Sequence, residues 1–386
     1  MKLLPDRPSI EFLRKEAKDL LIVLRETTPD ASLTDAQRAL AAEYGLRDWP
    51  ALKAEVERRT AKLPTAPAGL AVELADVFGL GTVTAEARPV SFTAMGRCWE
   101  LTTDRGRWLA VTVFDWITNE QAELGARLRD AAVTVGVPAP LAVRSPQARL
   151  IESVHGENWR VHEWLDVGPS PVLPVSAAVA RRAGTTYGKL HALAMQSDTP
   201  MSPYLVWRRP DPEWRHLLER AQSAGKPWAD RLEAVLPAWL DLQTIETEVD
   251  PDELILCNSN LIPTHVRQGH DGELIVMEWD FTGSLTPALE LGSALTHWAL
   301  RPAINPKAIE AFRDGYRESR EWPKLELPSF GVAITGWLNW AYNAICEAID
   351  PTDPDDPDQA SFAEREAVGV LDRPMTRTAL EQLLEI

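Results

Sequence analysis

The sequence predicts an α+β protein: a module of three helices, then a small lobe built on antiparallel strands, then a mostly helical remainder. Three observations carry this. Apolar residues recur at helical spacing through residues 9–62 and again from about 176 onward. Between them lie short β-type runs at Pro89–Thr93, Arg97–Thr103, Arg107–Phe114 and near 148–154 and 158–164, interrupted by one helical stretch at about 119–135. The charge is uneven: residues 1–62 carry 12 Lys and Arg against 11 Asp and Glu, while the whole chain stands at −17. The division that follows is a helical module over 1–62, a strand-bearing lobe over 69–165 and a helical lobe over 166–386.

Each element has a local reason. Ile10, Leu13, Ala17, Leu20, Leu21 and Leu24 line one face of the first helix. Thr34 and Gln37 have capping-box spacing before the second, and Gly45 is a plausible stop. Asp48 caps the third, with Pro50 tolerated in its first turn. The segment has a helix-turn-helix look, but nucleic-acid binding needs a basic footprint and this module is nearly neutral, so a structural or docking role is expected. Residues 63–68 read as a linker and 69–80 as a helix. Val111, Val113 and Phe114 have strand propensity, and Asp104-Arg105-Gly106 signals a hairpin. Gly136 ends the mid-chain helix and Val137-Pro138-Ala139-Pro140 prevents its continuation. The alternating Asp and Pro of Asp350–Asp358 read as a solvated loop, without the spaced ligands and closing Glu of a calcium loop.

Composition bounds the function. At 386 residues the chain exceeds one simple core. No run of ~18 apolar residues exists, so no membrane span is expected. The N-terminus soon meets charge and has no long apolar core, against a signal peptide. The cysteines Cys98, Cys257 and Cys346 are far apart and odd in number, which favours a reducing cytoplasm over a disulfide framework, and no CxxC or His-rich spacing suggests structural zinc. A charge of −17 repels nucleic acid and favours cationic partners. The 15 tryptophans outnumber the 8 Phe and 5 Tyr together. Such an excess fills cores, or walls a pocket for a flat aromatic ligand.

Four ordered segments are specific. Thr186-Tyr187-Gly188-Lys189-Leu190-His191-Ala192-Leu193 is a helix ending in Leu-His; Cys257-Asn258-Ser259-Asn260-Leu261-Ile262-Pro263-Thr264-His265 follows an apolar strand; Ile275-Val276-Met277-Glu278-Trp279-Asp280-Phe281 is a strand end with two acids; and Pro287-Ala288-Leu289-Glu290-Leu291 opens a helix. Together with the strands before them, these resemble the aminoglycoside phosphotransferase family over about residues 70–386. The resemblance implies a bilobal protein-kinase-like fold, with a small antiparallel β N-lobe and a mostly helical C-lobe, preceded here by the three-helix domain.

The resemblance also implies where the chemistry should lie, and the residues there depart from the pattern. Phosphoryl transfer needs a strand lysine on the nucleotide phosphates, a carboxylate to accept the hydroxyl proton, and oxygen or amide ligands for magnesium. The family loop reads His-x-Asp with an Asn five residues on. Here those positions are Asn258, Asn260 and His265. A carboxamide has no useful basicity near neutral pH, and imidazole is a poor partner for hard magnesium. The metal-binding Asp is replaced by Glu278, with Asp280 close by, and the lysine position matches Thr112. Glu120 or Glu123 matches the glutamate that would pair with that lysine. Losing the base alone costs ~10²–10⁴ in rate.

The expectation is therefore a catalytically impaired member of the family that binds a small molecule, aromatic or cationic, and confers antibiotic or natural-product self-resistance by sequestration, with no cofactor. The expected contacts are Glu163 and Trp164 at the hinge between lobes, Trp207, Trp298, Trp337 and Trp340 on the C-lobe helices, and Asn260, His265, Glu278 and Asp280. Trp337 and Trp340, three apart, are expected to share one helical face. The alternative is an active phosphotransferase using ATP and Mg2+, with Glu278 and Asp280 as metal ligands and Asn260 positioning the hydroxyl. A third reading is a regulatory scaffold that docks a partner through residues 1–62. Oligomerisation is compatible with all three.

Overall fold

A computed structural model describes residues 8–386 except 45, 47, 61–65, 91–96, 198, 248, 301–302, 353–356 and 373. The chain forms two compact units: residues 1–122, 140–172 and 267–270 make the first, and 123–139, 173–266 and 271–386 the second.

The first unit opens with α1 (Ile10–Thr27), α2 (Leu33–Glu43) and α3 (Trp49–Thr60). Leu13, Ala17, Leu40, Ala41, Leu52 and Val56 close a core of their own. Inside it Tyr44 donates to the buried carboxylate of Glu16 at 2.9 Å. Asp48 caps α3 as expected, accepting from the Ala51 N–H at 2.9 Å. The capping box of α2 sits two residues earlier than expected: Ser32 and Asp35 satisfy each other's backbone N–H groups, so Thr34 and Gln37 lie inside the helix. The expected stop at Gly45 and residues 63–65 of the linker lie outside the described residues.

Next come α4 (Leu70–Phe78), β1 (Val83–Val90), β2 (Cys98–Thr103), β3 (Gly106–Val113), α5 (Asn119–Thr134, passing into the second unit at Glu123), β4 (Ala142–Val143), β5 (Glu152–Val154) and β6 (Glu157–Glu163). The strands form one antiparallel sheet in the order β1-β2-β3-β6-β4, with β5 also on β6. β1 starts earlier than its apolar run suggested, because its first residues are largely exposed and leave no hydrophobic trace. One face of the sheet carries Trp99, Leu101, Ala110, Trp159 and Val161 against Leu70, Leu74 and Phe78 of α4.

The second unit contains α6 (Ala177–Ala192), α7 (Pro203–Val206), α8 (Asp211–Ser223), α9 (Ala229–Leu242), β7 (Ile255–Cys257), the first residue of β8 (Val266–Gln268, passing into the first unit at Arg267), β9 (Leu274–Val276), β10 (Gly283–Leu285), α10 (Pro287–Trp298), α11 (Pro306–Arg317), α12 (Gly331–Ile349), α13 (Pro357–Asp372) and α14 (Arg377–Leu384). β7 and β10 pair antiparallel, Ile255 opposite Leu285 and Cys257 opposite Gly283. α6 and α11 pack with their backbones nearly touching. A Cβ at Gly184 would lie 1.9 Å from the carbonyl oxygen of Phe312, and one at Gly188 would lie 2.5 Å from that of Tyr316. Only glycine permits this approach. α13 begins at Pro357, so the Asp- and Pro-rich stretch is helical at its end. Among the described residues no helix is long and apolar enough to cross a membrane.

Candidate functional site

The loop after β7 is locked by side chains of α6 and α10 and by its own Asn258 and His265. Asn258 is fully buried; its Nδ2 donates to the Glu278 carbonyl at 2.8 Å and its Oδ1 accepts from the Asn260 N–H at 3.1 Å. It ties the loop to the strand end bearing Glu278 and Asp280, both buried. Ser259 holds a left-handed conformation, φ 62°, that its side chain disfavours. That geometry aims its N–H at Glu290 Oε1, 2.6 Å away. The Asn260 carbonyl accepts from Ile262 N–H at 2.9 Å and pairs with His265 Nδ1 at 3.1 Å. Leu261 offers its carbonyl to the Tyr187 hydroxyl at 2.6 Å and the Trp298 indole N–H at 2.9 Å.

Behind the loop runs a buried polar chain. Glu290 Oε2 accepts from His191 Nε2 at 2.5 Å, and the Tyr316 hydroxyl lies 3.0 Å from His191 Nδ1. A neutral imidazole that donates through Nε2 accepts from Tyr316 through Nδ1, so one tautomer satisfies both. The α6–α11 approach at Gly184 and Gly188 is what brings Tyr316 to His191. The Cys257 thiol lies 3.9 Å from His191 Nε2. Donor atoms of His191, Cys257 and Glu290 fall within 4.8 Å of one another. Yet both imidazole nitrogens are already bonded, and burial together with the Glu290 charge pushes the Cys257 thiol well above its ordinary range. The trio therefore works as a hydrogen-bonded brace for the loop.

Of the loop positions that matched the expected chemistry, Asn258 and His265 have side-chain polar groups in structural use, and Asn260 differs. His265, buried, spends Nδ1 on the loop and its carbonyl on Met277 N–H at 3.0 Å. Asn260 is half-buried, and among the described residues none hydrogen-bonds its carboxamide. Thr112 accepts from the N–H of Arg97, the residue before β2, at 2.8 Å, and β3 carries no lysine. Its one cation, Arg107, is held by Glu100 at 2.6 Å and by Asp166 at 3.2 Å. The Glu120 carboxyl is kept below its ordinary range by its own backbone N–H and by Thr118 at the start of α5. In the second unit Glu278, Asp280 and Asn260 carry oxygen atoms of the kind that hold a hard cation; in the first unit β3 carries a hydroxyl, Thr112, at the position where the resemblance implied a lysine.

The remaining expected contacts separate into two groups. Trp298 is a core residue beneath the loop and presents no surface to a ligand, a correction to its expected role. Trp337 leans into the core against Trp239, ring centroids 5.3 Å apart, whereas Trp340 is 47% exposed. The edge of the buried face of α12 thus falls between two residues expected to share it. Trp207 is also 47% exposed, and Arg209 stacks on it. Glu163 is exposed at the end of β6; Trp164 is half-buried, its N–H on Asp166 at 3.0 Å and its ring under Arg107 at 4.2 Å. A cavity of about 500 Å³ lies at the opposite end of the β7–β10 ribbon, lined by Asp250, Glu253, Thr286, Lys324 and Glu326 among others, and none of the expected contacts lines it.

A sequence profile of the phosphotransferase enzyme family matches residues 89–327, more than half of the chain, and the chain belongs to that family. Its fold is the corresponding bilobal, kinase-like one, an antiparallel sheet lobe and a helical lobe. Among solved structures it is similar to a spectinomycin phosphotransferase in complex with ADP and spectinomycin (TM-score 0.59, 10% identity, 84% of this chain and 100% of that one). It is also similar to an amicoumacin kinase in complex with AMP-PNP, Ca2+ and Ami (0.54, 13%, 86% and 99%). A third is an aminoglycoside phosphotransferase from Alicyclobacillus acidocaldarius (0.50, 14%, 80% and 96%). At these identities the likeness is one of fold. A comparison with curated proteins finds no match.

Proposed function

We propose that this chain captures a small molecule on its helical lobe without phosphorylating it, a phosphotransferase-family protein turned to sequestration of an antibiotic or related natural product. The observation that carries the reading is Asn260: the residue at the place of the proton-accepting carboxylate is a carboxamide, on a loop braced by Asn258, Glu290 and His265. The brace supports a retained shape, and the carboxamide removes the base. Thr112 in place of a strand lysine supports the same conclusion. Titration calorimetry against a panel of hydroxylated antibiotics, with and without ATP and Mg2+, tests it. The reading expects binding that is indifferent to nucleotide and ligand recovered unmodified. Phosphorylated ligand in stoichiometric yield refutes it.

The second reading, an ATP- and Mg2+-dependent O-phosphotransferase, draws support from the proximity of two buried acids, Glu278 and Asp280, to the loop. It expects nucleotide with magnesium to raise the melting temperature through mass action.

A further inference from the structure

The cavity at the end of the ribbon where β7 begins and β10 finishes lies wholly within the second unit. Its volume, about 500 Å³, falls in the range of small-molecule pockets. Val249, Ala288, Leu289 and Pro328 give it apolar walls. Its polar groups come from three places: the single helical turn Pro251–Glu253 with the residue before it, the start of α10, and the turn Leu327–Phe330 with the residues before it.

Four charged side chains line the cavity, and two of them cancel. Lys324 is ion-paired with Glu326, whose carboxylate also accepts from the Ser329 N–H. Asp250 and Glu253 remain. Asp250 caps its turn, accepting from the Asp252 N–H at 2.9 Å, and Glu253 follows three residues later, on the same side of that turn. Among the described residues neither carboxylate has a cationic partner. The start of α10 does little to offset them. Pro287 has no N–H, and the N–H groups of Leu289 and Glu290 are taken by the hydroxyl and the carbonyl of Thr286, at 3.3 and 3.1 Å. An anion finds few donors here, whereas a cation finds two carboxylates.

Two buried hydroxyls complete the lining. Thr286 and Ser329 are 3% and 8% exposed, and each accepts one backbone N–H, from Leu289 at 3.3 Å and from Glu326 at 3.0 Å. Among the described residues neither gives its own proton to an acceptor. A buried donor left unmatched costs free energy, so the two protons call for an occupant that carries an acceptor.

We infer that this cavity binds a small organic amine with an apolar body and an acceptor oxygen, its ammonium group on Asp250 and Glu253. This rests on the reading that the helical lobe captures a ligand, and gives that ligand a place and a charge.

The probe is 4-methoxybenzylamine, titrated calorimetrically into the full-length native chain, with 4-methoxybenzoate as its anionic counterpart and 4-ethylbenzylamine as the isostere without the oxygen. The expected result is one saturable site for the methoxy amine, weakened roughly five- to tenfold by Glu253→Gln and by Asp250→Asn singly, the difference between a charge-assisted and a neutral hydrogen bond. The ethyl amine binds roughly threefold or more weakly, and the benzoate does not saturate. Both substitutions keep the side-chain shape, and an unchanged melting temperature shows that the variants fold. Amine binding that ignores both substitutions, equal binding of the ethyl amine or of the benzoate, or no saturable site overturns the inference. Ligand phosphorylation with ATP and Mg2+ is scored separately. An amine bound elsewhere on the lobe thus defeats the cavity and leaves the capture reading standing, whereas detected turnover defeats the non-catalytic reading and leaves the cavity standing.

Discussion

Replacing Glu290 by Gln tests the brace behind the loop. The carboxylate is 2% exposed and makes two short contacts, 2.5 Å to His191 Nε2 and 2.6 Å to the Ser259 N–H. Hydrogen bonds to a charged group contribute about 1.5–3 kcal/mol each, against about 0.5–1.5 for neutral ones. Gln keeps the shape and one acceptor, and His191 can change tautomer to accept from the new amide. The loss is then the difference between charge-assisted and neutral bonds, about 1–1.5 kcal/mol at each contact and roughly 2–3 kcal/mol in all. Glu290→Ala strands the Ser259 N–H and the imidazole in a dry site and costs more, about 4–5 kcal/mol. Hydrogen exchange of the peptide spanning residues 255–262 reads this locally: the Ser259 amide should lose about 30- to 150-fold of its protection in the Gln variant, since 1.4 kcal/mol is tenfold. Protection unchanged in the Gln variant and also in the Ala variant would refute the proposal that Glu290 holds the loop.

Three further outcomes follow from the same structure. Gly188→Ala forces α6 and α11 apart, since the new Cβ would sit 2.5 Å from the Tyr316 carbonyl oxygen; a loss of about 1–3 kcal/mol is expected in urea unfolding, and a neutral result contradicts the helix contact. Ser259→Gly removes the side chain from a left-handed backbone, φ 62°, and should raise stability by up to about 1 kcal/mol, where a clear loss would show the serine side chain to be needed. Burial first, with the Glu290 charge, raises Cys257 and Tyr187 well above their ordinary values, and burial raises Tyr316 as well. These acids stay protonated when folded, while the unfolded chain releases their protons above roughly pH 9–10. Their contribution is intact below that range and is lost as pH rises through it, by up to about 1.4 kcal/mol per group per pH unit. A melting temperature that is flat from pH 8 to 11 contradicts this.

The sequence carried the fold because its ordered motifs and its two hydrophobic periods agree with one another. It showed the positions of Asn258, Asn260, His265 and Glu278, but not what their side chains touch. That Asn258 ties the loop to the Glu278 backbone is long-range geometry. His191 and Glu290 stood inside motifs already noticed, yet Tyr316, which completes the chain, gave no signal. The tryptophans misled in part. Trp298 and Trp337 share an amphipathic helix signature with ligand-facing residues, and only packing places Trp298 in the core and turns Trp337 toward Trp239.

Transfer of labelled γ-phosphate from ATP in the presence of Mg2+ to hydroxylated antibiotics, compared between the native chain and Asn260→Ala, bears most directly on the missing base. Kinases of this chemistry turn over at about 1–100 per second. The native chain is expected to show no transfer above the protein-free rate, and Asn260→Ala to match it. Transfer within the kinase range that disappears in the Asn260 variant would contradict the assignment of this loop as a brace without catalysis.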